Sequence, residues 1–422
     1  MTAMKFGVFY EIQLPTPHVD ADVTRMFQET LEHVELAERL GFHCAWGVEH
    51  HFLEDHALSS APEVWLAAAA ARTSTIRIGQ GIACVPPEFT HPARLAERIA
   101  TLDQVSRGRV EFGTGESSSR MELEAFGVDR ATKHDAYRET LEQVADMMTM
   151  TPYPGHDGAA FSMPCRNIVP KPVQKPHPPL WVAGKPEVAA RLGIGCLGFN
   201  VVGGRQAKVM VDRYYETLAV DCVPIGHAVN PQMSVLATMH CHDDGDVARR
   251  HGSNLRFFGF SIAKYYLNGL VRPGRDSSWA EFEAARDDLP DLGDSPTSAI
   301  GTPDEIRVHL RALQAAGVDQ VLIMHQGGRM PFEANCASLE KFATEVMPEF
   351  VDGEDERERR KAERLAPVIE VAMARKPWRE PVPDDEIPTI AAYGHFSHVP
   401  TAEDVALEGG TSAETIGALG IR

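Results

Sequence analysis

The sequence predicts an α/β fold, a TIM (β/α)8 barrel with insertions and a C-terminal extension. Three observations predict it. Short β-rich runs alternate with longer helical stretches through about 350 residues. The strand-then-helix unit recurs eight times. Polar, chemistry-bearing residues follow the strands, where such a barrel places its site. A doubly wound open sheet would give the same local alternation, and the count of eight favours closure.

The first strand is expected at 5–10. A helix over 22–40 follows, with Met26, Leu31, Val34, Leu36 and Leu40 on its apolar side and Gly41 as its stop. The second strand covers 42–46. An alanine-rich helix over 62–72 starts with Pro62, where a missing N–H does no harm. A strand over 76–85 and a helix over 92–105 come next, then a strand over 109–114 and a helix over 134–148. Residues 151–179 are rich in proline and glycine and predict an excursion with little regular structure. The series resumes with strand 180–183, helix 186–192, strand 198–202, helix 205–218 and strand 232–240. Residues 245–299 form a long insertion, with a helix around 247–258 and an acidic stretch near 287–294. Thr302 caps a helix ending at Ala316, with Pro303 in its first turn. The eighth strand spans 319–325 and the closing helix 333–345. The barrel domain is therefore expected over 1–350. Residues 351–422 form the extension: a solvated helix over 354–375, then an irregular tail that wraps the surface or stays partly disordered.

The formal net charge is −19, which disfavours nucleic acid and anionic membrane surfaces as partners. An anionic ligand would need local N–H groups or a few cations. The 7 cysteines are odd in number and lack metal spacing, so reduced, mostly buried thiols are expected, not a disulfide framework. No leader pattern and no uninterrupted apolar run of membrane-spanning length is seen, which predicts a soluble, cytoplasmic protein.

Four segments carry candidate chemistry. Glu49-His50-His51-Phe52 closes the second strand with a carboxylate and two imidazoles, groups suited to proton transfer and to stabilising a bound anion; otherwise it is a polar turn. Gly113-Thr114-Gly115-Glu116-Ser117-Ser118-Ser119 follows the fourth strand. Its glycines allow close backbone approach and its hydroxyls suit a phosphate or a ring edge, but GxG is not completed to GxGxxG. Ala183-Gly184-Lys185-Pro186 joins a strand to a helix and reads equally as a phosphate cradle or a plain cap. Gly79-Gln80-Gly81-Ile82 reads as a seat for a flat ring or as a barrel bend. His240 and His325 also fall at strand ends. His240-Cys241-His242 could hold zinc, but a polar strand end is preferred because no third ligand stands out; a metal-dependent barrel hydrolase is the runner-up from another class.

The stretches AERLGFHCAWGVEHHF, IRIGQGIACVPPEFTHPARLAERIATLDQVSRGRVEFGTGESS, PPLWVAGKPEVAARLG and GVDQVLIMHQGG occur in order. In these the chain resembles the bacterial luciferase-like family of flavin-dependent monooxygenases. The resemblance implies a TIM barrel, a homo- or heterodimer, and reduced FMN supplied by a separate flavin reductase, with the deazaflavin F420 as the alternative cofactor. It implies that His50 is the catalytic imidazole near the flavin C4a position, with Glu49 and His51 beside it. Gly81-Ile82 would back the ring, often through an unusual peptide geometry. Gly115, Glu116, Ser117 and Ser118 would form one cofactor loop, and Ala183, Gly184 and Lys185 the phosphate turn. The implied reaction is oxygenation of an aldehyde, ketone or similar small substrate through a flavin C4a-peroxide. The excursion and the insertion would be lids. Two departures stand out. Glu116 occupies a place where luciferases carry a basic residue, so Lys185 or a residue of the excursion must supply the cation. The tail beyond Phe350 is also longer than the family's usual end.

Overall fold

Eight parallel strands close into a barrel in the computed structural model, which describes residues 3–286 and 299–390. They are β1 Lys5–Tyr10, β2 Cys44–Gly47, β3 Arg77–Gln80, β4 Val110–Thr114, β5 Leu180–Ala183, β6 Gly195–Val201, β7 Met233–Cys241 and β8 Gln320–Met324. Each pairs in parallel with its sequence neighbour, and β8 returns to β1 with Lys5 opposite Gln320 and Phe9 opposite Met324. A three-residue strand, Ala299–Gly301, adds to the end of β7.

Side-chain alternation sorts the strands into two cores. Phe6, Val8, Tyr10, Ile78, Phe112, Val235 and Ile323 pack outward under the helices. Phe9, Trp46, Trp181, Leu197, Leu236, Leu322 and Met324 fill the interior. The Trp46 indole is so close to β3 that a Cβ on Gly79 would lie 2.3 Å from it. Gly79 is therefore explained by a packed tryptophan, not by a ligand.

The helices follow the expected order, and the strands differ at their ends. The third strand stops at Gln80, and only an isolated bridge, Cys84 to Gly115, continues it. The sixth starts at Gly195, earlier than the periodicity indicated. A helix absent from the sequence reading, Arg120–Phe126, follows the serine-rich loop after β4. The excursion holds a short hairpin, His156–Asp157 with Ser162–Met163, and an isolated bridge, Tyr153 to Arg166. The insertion is more helical than expected. It runs through Gly245–Gly252 and Arg256–Ile262 into a π-helical turn, Ala263–Asn268, and its Ala248, Leu255 and Phe258 pack into the interior core. The acidic stretch at 287–294 lies outside the described residues.

The chain divides into two units after Pro381. In the first, helix Glu354–Arg375 is not solvated all round, as its charge suggested. Leu365 and Ala372 are buried, and Arg357 and Lys361 clasp the buried Asp319 at the entry to β8, at 2.5 and 2.9 Å. The described part of the second unit contains a single 3-10 turn, Asp384–Glu386. All seven cysteines are unpaired, five of them buried. No helix among the described residues is long and apolar enough to cross a membrane.

Candidate functional site

The barrel mouth gathers groups from four chain segments around His50. Val48 is packed in the interior core, so two residues on, His50 also faces inward. It is buried. Its Nδ1 lies 3.3 Å from Glu122 Oε1 and 2.9 Å from the Tyr266 hydroxyl, and its Nε2 lies 3.6 Å from Glu11 Oε2. Glu11 stands two residues beyond the inward Phe9, just past β1. Tyr266 comes from the π-helical turn of the insertion, a feature frequent at functional sites. Burial by itself would lower the His50 pKa. Glu11 and Glu122 outweigh it, and the net shift is upward.

Glu122 ties two loops together. Its Oε1 also accepts the His51 backbone N–H at 2.8 Å, and its Oε2 accepts the Ser117 hydroxyl. Burial opposes its ionisation, but these donors hold its pKa below the ordinary value. Ser117 sits in the left-handed region at φ 55°, uncommon for a residue with a Cβ. Its carbonyl accepts from Lys133 Nζ at 2.6 Å. Glu49 and His51 face one another instead of His50: their side chains pair at 3.1 Å, Glu49 Oε2 accepts the Cys84 N–H at 2.9 Å, and the His51 ring lies edge-on to Phe126.

On the other side of the Gly115–Glu122 loop lies a cavity of about 930 Å³. Gly115, Glu116, Ser118, Ala183, Gly184 and Lys185 all line it, so two segments chosen from sequence meet there. Ser117 does not line it, because its side chain turns towards Glu122. Glu116 is not a free anion: it pairs with His134 at 2.6 Å and Lys133 at 3.5 Å. Arg138 and Lys185 line the cavity, and neither has an ion-pair partner among the described residues. Lys376 reaches the same cavity but is spent on the Pro224 and Ile225 carbonyls. No residue of 151–179 lines it, so of the two expected sources of a cation Lys185 is the one at this cavity, with Arg138 beside it.

Gly81 and Ile82 link the two halves. The Gly81 N–H donates to the Gly47 carbonyl at 2.6 Å, and Ile82 presses so close to Gly115 that a Cβ there would lie 2.8 Å away. The unusual peptide implied for this segment is not found: the cis bonds among the described residues all precede proline.

His325 does not reach the mouth. Met324 faces inward, so His325 faces outward, where its ring stacks on His33 at 4.1 Å beside Tyr10. His240 is inward but meets His251, ring to ring at 5.1 Å, and burial pushes its pKa down to about 4. Among the described residues the three ligand-capable groups that converge are Glu11, His50 and His56, not His240 and His242.

The sequence reading missed Glu11, Glu122, His56 and Tyr266. Glu11 was readable as a carboxylate directly after a strand. His56 lies in the polar segment after the second strand without a motif of its own. Glu122 sits in the short helix that was not foreseen, and Tyr266 carries no local signal.

The model of the luciferase-like monooxygenases matches residues 4–320. The chain is 26% identical over 378 residues to the oxygenase component of the flavin-dependent trigonelline monooxygenase of Acinetobacter baylyi, covering 84% of this chain and 98% of that one. The crystal structure of monooxygenase RslO1 from Streptomyces bottropensis superposes with a TM-score of 0.68 at 26% identity, over 82% of this chain and all of that one (100%). The coenzyme F420-dependent tetrahydromethanopterin reductase of Methanopyrus kandleri shares the fold, with a TM-score of 0.61 at 20% identity, over 82% of this chain and 99% of that one. With a family match over most of its length, the chain belongs to the luciferase-like monooxygenases.

Proposed function

We propose that the protein is the oxygenase component of a two-component flavin-dependent monooxygenase. It would take reduced FMN from a separate reductase and oxygenate a small organic substrate such as an aldehyde or ketone. The observation that carries this reading is the pairing, across one loop, of a buried imidazole with a cavity that holds two cations without ion-pair partners among the described residues, Arg138 and Lys185. His50 sits between Glu11 and Glu122, and the Ser117–Glu122 bridge joins it to the cavity lined by Arg138 and Lys185.

The donor set suits a flavin phosphate. Arg138 and Lys185 supply charge, and Ser118 supplies a hydroxyl. A Cβ at Gly184 would meet nothing closer than 3.8 Å, so the backbone there is open to a ligand. Reduced FMN, when bound, supplies the electrons that activate O2; one oxygen atom goes to the substrate and the other to water. This chain's residues do the rest. His50 holds a proton at the mouth and gives or takes it as general acid or base. Glu122 fixes the imidazole through Nδ1. Glu49 and His51 brace the loop that carries it. Phe258 and Tyr266 of the insertion cover the site and exclude water. A dimer is proposed on the family likeness.

Anaerobic titration with reduced FMN and, side by side, reduced F420 tests the cofactor. Micromolar binding of reduced FMN in preference to F420 is expected. Admitting O2 with a panel of aldehydes and ketones should yield an oxygenated product. His50→Ala should lower turnover about 10²–10⁴-fold, the usual worth of a general acid or base. Absence of reduced-FMN binding at that concentration would end the proposal.

A further inference from the structure

Glu11, just past β1, and His50 and His56, both past β2, converge at the mouth. Glu11 is buried at 4% exposure, and its Oε2 has no hydrogen-bond partner. A buried polar atom left unpaired is costly. His50 Nε2 lies 3.6 Å from that oxygen and His56 Nε2 3.8 Å, both too long for a good hydrogen bond. One ligand atom from each of the three residues lies within 4.8 Å of the other two. These spacings suit a coordination shell. Two ligand atoms on a tetrahedral ion with bonds of about 2.0–2.1 Å stand about 3.4 Å apart. On an octahedral ion with the same bonds they stand about 3.0 Å apart, further from what is seen.

Both imidazoles are held from behind so that Nε2 is the nitrogen left for an ion. For His56 the hold is a chain of bonds leading away from the mouth. The Gly328 N–H donates to Gln13 Oε1 at 2.8 Å, which orients that amide, and Gln13 Nε2 donates to Ser261 Oγ at 3.3 Å. The Ser261 hydroxyl donates to the Phe258 carbonyl at 2.9 Å. Ser261 Oγ is then an acceptor for His56 Nδ1–H, 2.8 Å away, and Nε2 keeps its lone pair. For His50 the hold is Glu122. Its two oxygens accept the His51 N–H and the Ser117 hydroxyl, and Oε1 also faces His50 Nδ1 at 3.3 Å. A carboxylate so placed takes the Nδ1 proton and turns Nε2 towards Glu11. An imidazole whose far nitrogen donates to a carboxylate or hydroxyl is the outer arrangement that metal-binding histidines have.

We propose that Glu11, His50 and His56 form a binding site for a tetrahedral divalent transition ion of the zinc type, and that the ion inhibits the enzyme. It takes His50 Nε2, so the imidazole can no longer give or take a proton there. Three protein ligands leave the fourth tetrahedral position to water. Two imidazoles and one carboxylate disfavour Ca2+ and Mg2+, which take oxygen ligands. The charge of the ion offsets the unpaired Glu11 oxygen and the Glu122 carboxylate behind His50.

The site is tested without flavin. The full chain is stripped with EDTA and titrated with Zn2+. The first equivalent should bind through nitrogen and oxygen, with bonds of about 2.0–2.1 Å in X-ray absorption, against about 2.3 Å if the unpaired thiols take it. Histidine side-chain nitrogen resonances, with His50 and His56 assigned from His50→Gln and His56→Gln, should place the ion on Nε2 of both rings. Ser261→Ala removes the hydroxyl that fixes His56 and should weaken Zn2+ binding about 10–100-fold; Glu11→Gln removes a ligand and should weaken it more. Circular dichroism establishes that each variant is folded, and the wild-type absorption spectrum carries the test without them. Under turnover with reduced FMN, one equivalent of Zn2+ should slow the enzyme about 100-fold or more, and EDTA should restore it. Sulfur ligation of the first equivalent, or unchanged Zn2+ affinity in folded Glu11→Gln, overturns the site. Full turnover with Zn2+ held on both imidazoles overturns the inhibition. Only the inhibition rests on the oxygenase reading, and failure of reduced FMN to bind the zinc-free chain bears on that reading and leaves the site standing.

Discussion

Replacing Glu122 with glutamine isolates the charge of the bridge from its shape. Glutamine has the same length but only one accepting terminal atom. Its oxygen must stay on the His51 N–H, because an NH2 group there would face a donor. The NH2 group then falls at Ser117, whose hydroxyl can turn and accept. The bonds survive in number, and what goes is the negative charge beside His50. A full carboxylate–imidazolium pair at 3.3 Å has a Coulomb energy of about 5 kcal/mol at an effective dielectric constant near 20, which is a ceiling. Converting charge-assisted bonds to neutral ones removes about 1–2 kcal/mol, and this is the expected loss of stability. Its pH dependence is the discriminating part. The folded His50 pKa is raised, so its contribution is complete below the unfolded value near 6.5 and disappears as pH rises through the folded value. The folded Glu122 pKa is lowered, so its contribution is present above the unfolded value near 4.5 and fades as pH falls. The difference between wild type and Glu122→Gln should therefore peak between those limits and shrink at alkaline pH. Urea unfolding at pH 6 and pH 9 measures it. Equal differences at both values would refute a charged His50–Glu122 pair.

Three further outcomes follow from the same geometry. Gly113→Ala would put a Cβ 2.3 Å from the Gly81 carbonyl oxygen and 2.6 Å from that of Gln80; forcing β4 from β3 should cost about 1–3 kcal/mol or more in denaturant unfolding, and an unchanged midpoint would contradict the close approach. Arg138→Ala and Lys185→Ala should each weaken reduced-FMN binding roughly 10–100-fold while leaving reduced riboflavin, which lacks the phosphate, unaffected; equal effects on both ligands would remove the phosphate from this cavity. Burial opposes ionisation of Glu358, but Lys361 and Lys5 hold its pKa at about 2, down from 4.5, so its stabilisation is present above 4.5 and lost as pH falls towards 2. Glu358→Gln should flatten stability across that window by at most about 3 kcal/mol, less after solvent screening, and parallel acid unfolding of variant and wild type would count against it.

The barrel was legible because strand and helix periods are local, and the mouth was legible only where function and local sequence coincide. Glu49, His50 and His51 are adjacent, and the glycine loops announce themselves. Strand-end position alone misled at His325. The two-residue alternation that turns Phe9 and Glu11 inward also turns Met324 inward and His325 out to His33. Applying that parity to every strand would have exchanged His325 for Glu11. Glu122 and Tyr266 lie 72 and 216 residues from His50, and no local pattern specifies that they meet it. The short helix carrying Glu122 is fixed by that tertiary bond to the second loop more than by its own seven residues.

The net charge of −19 does not prevent an anionic cofactor from binding, because charges are felt over about 8–10 Å in physiological salt. What a phosphate would meet is the local set. Glu116 is answered by His134 and Lys133, and Glu49 by His51, while Glu122 has His50 and the His51 N–H. Each of these carboxylates already has its donor, and two of the cavity's cations, Arg138 and Lys185, have no ion-pair partner among the described residues. The loop between Gly115 and Glu122 thus lies between the buried carboxylates and imidazoles of the mouth and a cavity that holds Arg138 and Lys185. A ligand with a phosphate at one end and a redox ring at the other would satisfy both halves at once, whereas a free inorganic anion would engage only the cavity. Inorganic phosphate should therefore compete with reduced FMN weakly and leave the His50 resonances where they are, while reduced FMN should move them.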